Sequence, residues 1–243
     1  MKNTNKTFSY EDKNVVVTGA NRGLGLGCVA ELLNLGFRVV ACARNPTSIK
    51  SDLEAQKIST KNLITQKLDV ASEESLKSFE VFLKSEIKTC HVLINNAGIY
   101  VDDPKGGALS TSGADFLKTM MTNVYGPYRM SQIVLPLMKS QKFGRIVNVS
   151  SGMGQLSEMG AGYPAYRISK TAVNSLSKNL GVETHGTNIL VNSVCPGWVK
   201  TDMGGKGAQR EIPEGVKSIL WAALLADDGP TGGYFRDGKS MSW

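Results

Sequence analysis

No stretch of this 243-residue chain approaches the ~18 consecutive apolar residues that a bilayer-spanning helix needs, so none is expected. Histidine is scarce: His91 and His185 are the two present, and neither has ligand spacing to another histidine or to a cysteine. Structural roles are expected of both, and no metal site. The four cysteines, Cys28, Cys42, Cys90 and Cys195, stand far apart with no CxxC pair. They read as buried free thiols in a reducing compartment and not as a disulfide frame. Met1–Tyr10 is polar and lacks the apolar core of a secretory signal, which adds to the expectation of a cytoplasmic protein. Internal repeats, low-complexity tracts and long linkers are missing as well. With 41% hydrophobic and 20% charged residues, the composition is that of a folded domain, which excludes collagen-like and disordered classes.

The net charge is +7, yet the lysines are dispersed. The Lys-rich segment Ser72–Lys88 also holds Glu73, Glu74, Glu80 and Glu86, as a solvated mixed face does. A nucleic-acid footprint requires clustering, so neither nucleic acid nor membrane is expected as a partner.

What the chain does contain is alternation. Val15–Thr18, Phe37–Ala41, Leu63–Leu68, His91–Asn95, Arg145–Val149 and Ile189–Val194 are short and rich in Val, Ile and Leu. Such unbroken apolar runs suit strands buried on both faces of a parallel sheet. Helical spacing fills the intervals Leu24–Leu35, Ser72–Lys88, Phe116–Lys139, Ala165–Glu183 and Pro213–Leu225. This rhythm predicts one α/β Rossmann-like domain over residues 1–243, a doubly wound parallel sheet of about seven strands flanked by helices. Pro127 and Pro136 lie inside one helical stretch, and a kink or early end is expected there. Gly152–Gly162 and Met203–Ile212 read as loops that follow strand ends, where open α/β sheets bind ligands.

After the first strand comes Thr18-Gly19-Ala20-Asn21-Arg22-Gly23-Leu24-Gly25. Glycines between a strand and a helix let backbone N–H groups approach a pyrophosphate, and the helix N-terminus favours the anion. The spacing is GxxxGxG, which differs from GxGxxG. The second strand ends in Ala43-Arg44-Asn45, with no acid until Asp52 to bind a free ribose 2′-hydroxyl. Arg22 and Arg44 supply two guanidinium groups for a 2′-phosphate, so the reading favours NADP(H) over NAD.

Tyr166 and Lys170 are spaced i, i+4 and share one helix face. An ammonium beside a phenol favours the phenolate, and the pair can move a proton to or from a carbonyl or alcohol oxygen. Ser150 and Ser151 stand just past a strand upstream, where a hydroxyl could hold the reacting oxygen.

These motifs resemble the short-chain dehydrogenase/reductase family. The matching segments are Thr18–Gly25, Leu68-Asp69-Val70, Asn95-Asn96-Ala97-Gly98, Asn123 within Thr122–Gly126, Val147–Ser151, Tyr166–Lys170 and Cys195–Thr201, in family order over most of the chain. The tail Asp227–Lys239 further resembles carbonyl-reductase-like members. The resemblance implies a catalytic set of Asn123, Ser151, Tyr166 and Lys170. Tyr166 would be the proton donor in reduction, and Ser151 would hold the substrate carbonyl. Lys170 would lower the tyrosine pKa and grip the nicotinamide ribose, with Asn123 ordering a relay water near it. The cofactor would meet Gly19, Asn21, Arg22, Gly23, Leu24, Gly25, Arg44, Asp69, Val70, Asn95, Ala97, Gly98, Tyr166, Lys170, Pro196, Gly197, Val199 and Thr201. The choice of Ser151 over Ser150 rests on the motif. Ser48 stands where some NADP-dependent carbonyl reductases carry a further arginine. The implied activity is NADPH-dependent reduction of a small-molecule aldehyde or ketone; the alternative is a dinucleotide sensor without catalysis. The long insertion of monomeric animal carbonyl reductases before the tyrosine is missing here, which leaves a homodimer or homotetramer open. Trp198 could line the substrate pocket or merely pack, and Trp221 and Trp243 are expected to pack or to lie at an interface.

Overall fold

A computed structural model describes Tyr10, residues 13–103, Gly107 and residues 110–243. The reading of Met1–Tyr10 as free of a signal therefore lies, apart from Tyr10, outside the described residues. The strands are β1 (Asn14–Thr18), β2 (Arg38–Ala43), β3 (Leu63–Lys67), β4 (Val92–Asn95), β5 (Gly144–Val149), β6 (Ile189–Val194), β7 (Tyr234–Arg236) and β8 (Lys239–Ser240). They form one sheet in the order β3-β2-β1-β4-β5-β6-β7-β8. All neighbours are parallel except β7 and β8, which make an antiparallel edge pair. The sequence reading of a doubly wound parallel sheet is thus met, with the short β8 added at one edge.

Among the described residues seven α-helices cover the faces: α1 (Gly23–Asn34), α2 (Ile49–Ala55), α3 (Glu73–Phe82), α4 (Gly113–Met120), α5 (Gly126–Gln141), α6 (Pro164–Glu183) and α7 (Ile212–Ala223). Strand alternation sorts the core into two halves. Val15, Val17, Val39, Ala41, Ile94 and Val147 face α1, α2 and α7. Val16, Val40, Leu93, Ile146 and Val191 face α3 and α5. The chain order reverses between β1 and β4, which opens a crevice at their C-terminal ends, the usual ligand position in such sheets.

The early end expected at Pro127 or Pro136 does not occur, since α5 runs through both. A π-helical turn, Met121–Tyr125, joins α4 to α5, with the Gly126 N–H donating to the Met121 carbonyl five residues back. Pro127 then falls in the first turn of α5, where a missing N–H costs little. Pro136 sits on an exposed side of α5, and the Gln132 carbonyl it leaves without an amide donor belongs to an exposed residue that water can reach. The four cysteines are buried and free. The His91 Nδ1 accepts the Asn14 N–H at 3.0 Å, and burial pushes the ring's pKa down to about 4, as suits a structural histidine. Among the described residues no helix is long and apolar enough to cross a membrane.

Candidate active site

A cleft of about 1090 Å³ runs along the C-terminal ends of β1, β2, β4, β5 and β6. At its first end lies the glycine turn. Gly19 has φ +64° and Gly23 φ +53°, backbone that side chains rarely adopt. A Cβ on Gly25 would stand 2.2 Å from the Gly19 carbonyl oxygen, so α1 can start this close to the turn only without a side chain there. The Asn96 Nδ2 donates to the carbonyls of Thr18 and Gly19 at 2.9 and 3.1 Å. The Thr18 hydroxyl accepts the N–H groups of Asn96 and Ala97. Asn96 thus fixes the turn's shape, a task the sequence reading left unassigned though it fell within the quoted motif.

Gly19, Asn21, Arg22, Gly23, Leu24 and Gly25 line this end, with Arg44, Asp69 and Val70 further along. The two arginines differ. The Arg22 guanidinium meets the Asp202 carboxylate at 2.5 Å across the cleft mouth, and both are well exposed. Arg44 is exposed and makes no ion pair among the described residues. Ala97, Gly98, Pro196, Gly197, Val199 and Thr201 continue the wall. Asn95 does not line it. Its side chain is buried in the sheet and donates to Asn148 Oδ1 at 2.8 Å.

The other end gathers the predicted chemical groups. Ser150 and Ser151 follow β5. The Ser150 hydroxyl donates to the Lys170 carbonyl at 3.3 Å, whereas the Ser151 Oγ accepts the Met153 N–H at 3.2 Å and so keeps its own proton. Tyr166 and Lys170 share the sheet-facing side of α6, and both are buried. The Lys170 Nζ donates to the Val149 carbonyl at 2.8 Å and stands 5.5 Å from the centre of the Tyr166 ring. Burial pushes the Tyr166 phenol up to about 12, with a hydrogen bond to Ser151 pulling the other way. Burial brings the Lys170 ammonium down to about 8. At neutral pH the phenol therefore holds its proton and the lysine keeps its charge.

Asn123 is buried in the π turn and is not on the cleft wall. Its side chain clasps Ile99: Oδ1 accepts the Ile99 N–H at 2.8 Å, and Nδ2 donates to the Ile99 carbonyl at 2.9 Å and to Ser169 Oγ at 3.0 Å. Pro127 has no N–H, so the Asn123 carbonyl lacks the amide donor that an α-helix would place four residues on. A Cβ on Gly98 would lie 3.5 Å from Asn123 Oδ1 and 3.6 Å from Lys170 Nζ, so both groups converge on that bare backbone.

Asp102 was not singled out from the sequence. It is buried, and its carboxylate accepts the N–H groups of Ala165 at 3.0 Å and Tyr166 at 2.9 Å, plus the Thr111 hydroxyl at 3.1 Å. The N-cap residue of α6 itself, Tyr163, is left-handed at φ +53° and offers no side-chain cap. Asp102 therefore caps α6 from a remote segment and fixes the backbone of Tyr166. No local pattern reveals this, because the donors lie 63 and 64 residues away. Tyr100, two residues before it, meets the Tyr166 ring edge-on with centroids 5.1 Å apart.

A family model described as short chain dehydrogenase matches residues 13–211. The chain belongs to the short-chain dehydrogenase family. Among its curated relatives, a short-chain dehydrogenase of Penicillium roqueforti is 32% identical over 223 residues, covering 86% of this chain and 87% of that one. Human carbonyl reductase (NADPH) 1 is 31% identical, covering 94% and 97%. Among solved structures, NADPH-bound carbonyl reductase from chicken fatty liver superposes with a TM-score of 0.85 at 29% identity, covering 96% of this chain and all of that one.

Removing the remote cap has a defined expected outcome for this short-chain dehydrogenase. Asp102→Ala strands two helix N–H groups and should lower the unfolding free energy by about 1–2 kcal/mol in urea denaturation. Asp102→Asn keeps an acceptor oxygen and should lose about half as much. Equal stability of Asp102→Ala and the native chain would show that the carboxylate does not hold the first turn of α6.

Proposed function

We propose that the chain reduces an aldehyde or ketone to an alcohol with NADPH, Tyr166 giving the proton. The observation that carries this reading is the junction of Ser151, Tyr166 and Lys170 at the open end of a cleft whose other end is a bare-backbone cradle. The fit to the dinucleotide is physical. Gly25 leaves room that a Cβ would fill, and the N-terminus of α1 faces the turn. Arg44 is a guanidinium with no ion-pair partner among the described residues, placed past β2 where a 2′-phosphate needs a cation. Asp69, Val70, Ala97 and Gly98 would hold the adenosine half, and Pro196–Thr201 the nicotinamide side. When bound, the nicotinamide supplies the hydride.

The chain's residues do the rest. The Ser151 hydroxyl donates to the carbonyl oxygen and fixes its position. Tyr166, kept neutral by burial, hands its proton to that oxygen as negative charge grows there. The Lys170 ammonium beneath the ring steadies the phenolate left behind and can grip a ribose hydroxyl. The Asn123 carbonyl, short of its helical donor, is an acceptor for a water that returns a proton toward Lys170.

Tyr166→Phe deletes only the hydroxyl, so NADPH affinity should hold while turnover falls about 10²-fold or more. Tyr163→Phe, with no lysine one turn on, should stay active. Native turnover should also decline as the pH rises through about 8, where Lys170 loses its charge while Tyr166 keeps its proton. An unimpaired Tyr166→Phe enzyme in a steady-state assay would remove the proposed proton path.

Cofactor choice rests on Arg44, since Arg22 is engaged by Asp202. Arg44→Asp should weaken NADPH binding about tenfold or more, the loss of one charge-assisted contact, and leave NADH little changed. Titration calorimetry that finds the native chain indifferent between NADPH and NADH would discard the 2′-phosphate role.

The reading includes self-association through the helix faces, as a homodimer or homotetramer. Leu117 and Met121 on the α4–α5 stretch and Ile168 on α6 are large apolar side chains at 65%, 39% and 46% exposure. They sit on the two helices that pack beside each other at the active site. Light scattering should give at least twice the 26.1 kDa chain mass, and a lone 26.1 kDa species at micromolar concentration would refute it.

A further inference from the structure

Arg236, the last residue of β7, also lines the cleft, at the end where Ser151, Gly152 and Tyr166 lie. Its guanidinium is poorly matched by its surroundings. The Nη2 donates to the Cys195 sulfur at 3.0 Å. The Nε is buried and has no acceptor among the described residues. No carboxylate pairs with it there: Asp237 next to it binds Arg210 at 2.9 Å. A guanidinium has five N–H donors in a fixed fork, and a thiol is a weak acceptor. A half-buried guanidinium on a cleft wall, with only a thiol as acceptor, is suited to an anionic partner.

The opposite wall is cut away at the same place. A Cβ on Gly152 would stand 2.9 Å from Arg236 Nη2 and 4.0 Å from the Cys195 sulfur. Gly152 does not sit at positive φ, so its backbone does not demand glycine. What the missing side chain provides is room for the guanidinium directly beside Ser151. The carboxylates on the cleft wall are Asp69, past β3, and Asp202, which Arg22 occupies. Arg236 and Lys170 thus bring positive charge to the reacting end, and Asp237, the carboxylate that acts on Arg236, is shared with Arg210. Trp198, at 56% exposure, and Met203, at 47%, are exposed apolar side chains on the wall of the same cleft.

We infer that Arg236 is a specificity-determining residue that receives an oxyanion group on the carbonyl substrate. The substrate class is an oxo compound with a carboxylate or a phosphate at one end and an apolar body against Trp198 and Met203. This rests on the proposed reductase reading for its carbonyl and adds the acidic group. The two terminal amines of the guanidinium suit either oxyanion by parallel N–H bonds, while the enclosed Nε stays out of a ligand's reach.

The test compares 4-formylbenzoate, 4-formylphenyl phosphate and methyl 4-formylbenzoate as substrates with NADPH, on the native chain and on Arg236→Met. At least one of the two anions should show a kcat/KM about tenfold or more above the neutral ester, and whichever does identifies the group. In Arg236→Met that advantage should vanish while the ester is still reduced. An ester as good as both anions, or an advantage that survives the substitution, overturns the inference. Should no aldehyde be reduced, the reductase reading fails by itself. Binding of the product alcohol 4-(hydroxymethyl)benzoate, measured by calorimetry with no oxidised cofactor present, still decides the role of Arg236: about tenfold weaker binding to Arg236→Met supports it, and equal binding overturns it. If Arg236→Met does not fold, Arg236→Lys keeps the charge without the fork. It should then show a reduced preference for the anion; an undiminished preference overturns the assignment to the guanidinium.

Discussion

The bond from the Lys170 ammonium to the Val149 carbonyl is the constraint on which the site depends. A charged nitrogen is held inside the protein, against the last carbonyl of a central strand. That contact pins α6 to the end of β5 and so sets where Tyr166 stands relative to Ser151. The packing around it leaves no slack. A Cβ on Gly154 would lie 2.7 Å from the Lys170 carbonyl carbon, so the turn after Ser151 rests directly on the helix backbone. Ser150 adds its hydroxyl to the Lys170 carbonyl, and Asn174 and Thr171 both donate to the Gly154 carbonyl. The loop that carries the serine and the helix that carries the tyrosine therefore act as one rigid piece.

A second clasp works on the other side of the tyrosine. Asn123 holds both backbone groups of Ile99, and Asp102 holds the first turn of α6. The segment after β4 is thus fixed at two points, with Tyr100 between them against Tyr166. Two buried polar side chains do here what a regular strand or helix cannot, since this stretch has neither ladder nor helical bonds of its own.

Much of this was legible in the sequence because it is local. Alternating Val15, Val16 and Val17 announce a strand buried on both faces. Glycines between strand and helix announce a close approach, and the four-residue step from Tyr166 to Lys170 announces a shared face. What was missed depends on distance in the chain. Asp102 reaches over more than sixty residues, and Arg236 meets Gly152 across the gap between β5 and β7. The short strands β7 and β8 and helix α2 escaped because they hold too few apolar positions to show a period. Pro127 misled for a different reason: a proline reads as a break, but here it falls in the first turn of α5, just after a π turn, and the helix runs on. Asn95 sits beside true cleft residues in the motif, yet strand alternation turns its side chain into the sheet.

The outermost strands bear on a matter apart from chemistry. A sheet exposes unpaired N–H and C=O groups at each edge, and a long flat edge recruits further chains. Here β8 is only two residues, Lys239 and Ser240, both exposed, and it runs against the direction of its neighbours. At the far side β3 spans five residues, with Thr65 and Lys67 open to solvent. A strand from another molecule would find too little length at one edge and a lysine at the other. The folded sheet thereby offers a poor template for a further strand at either edge.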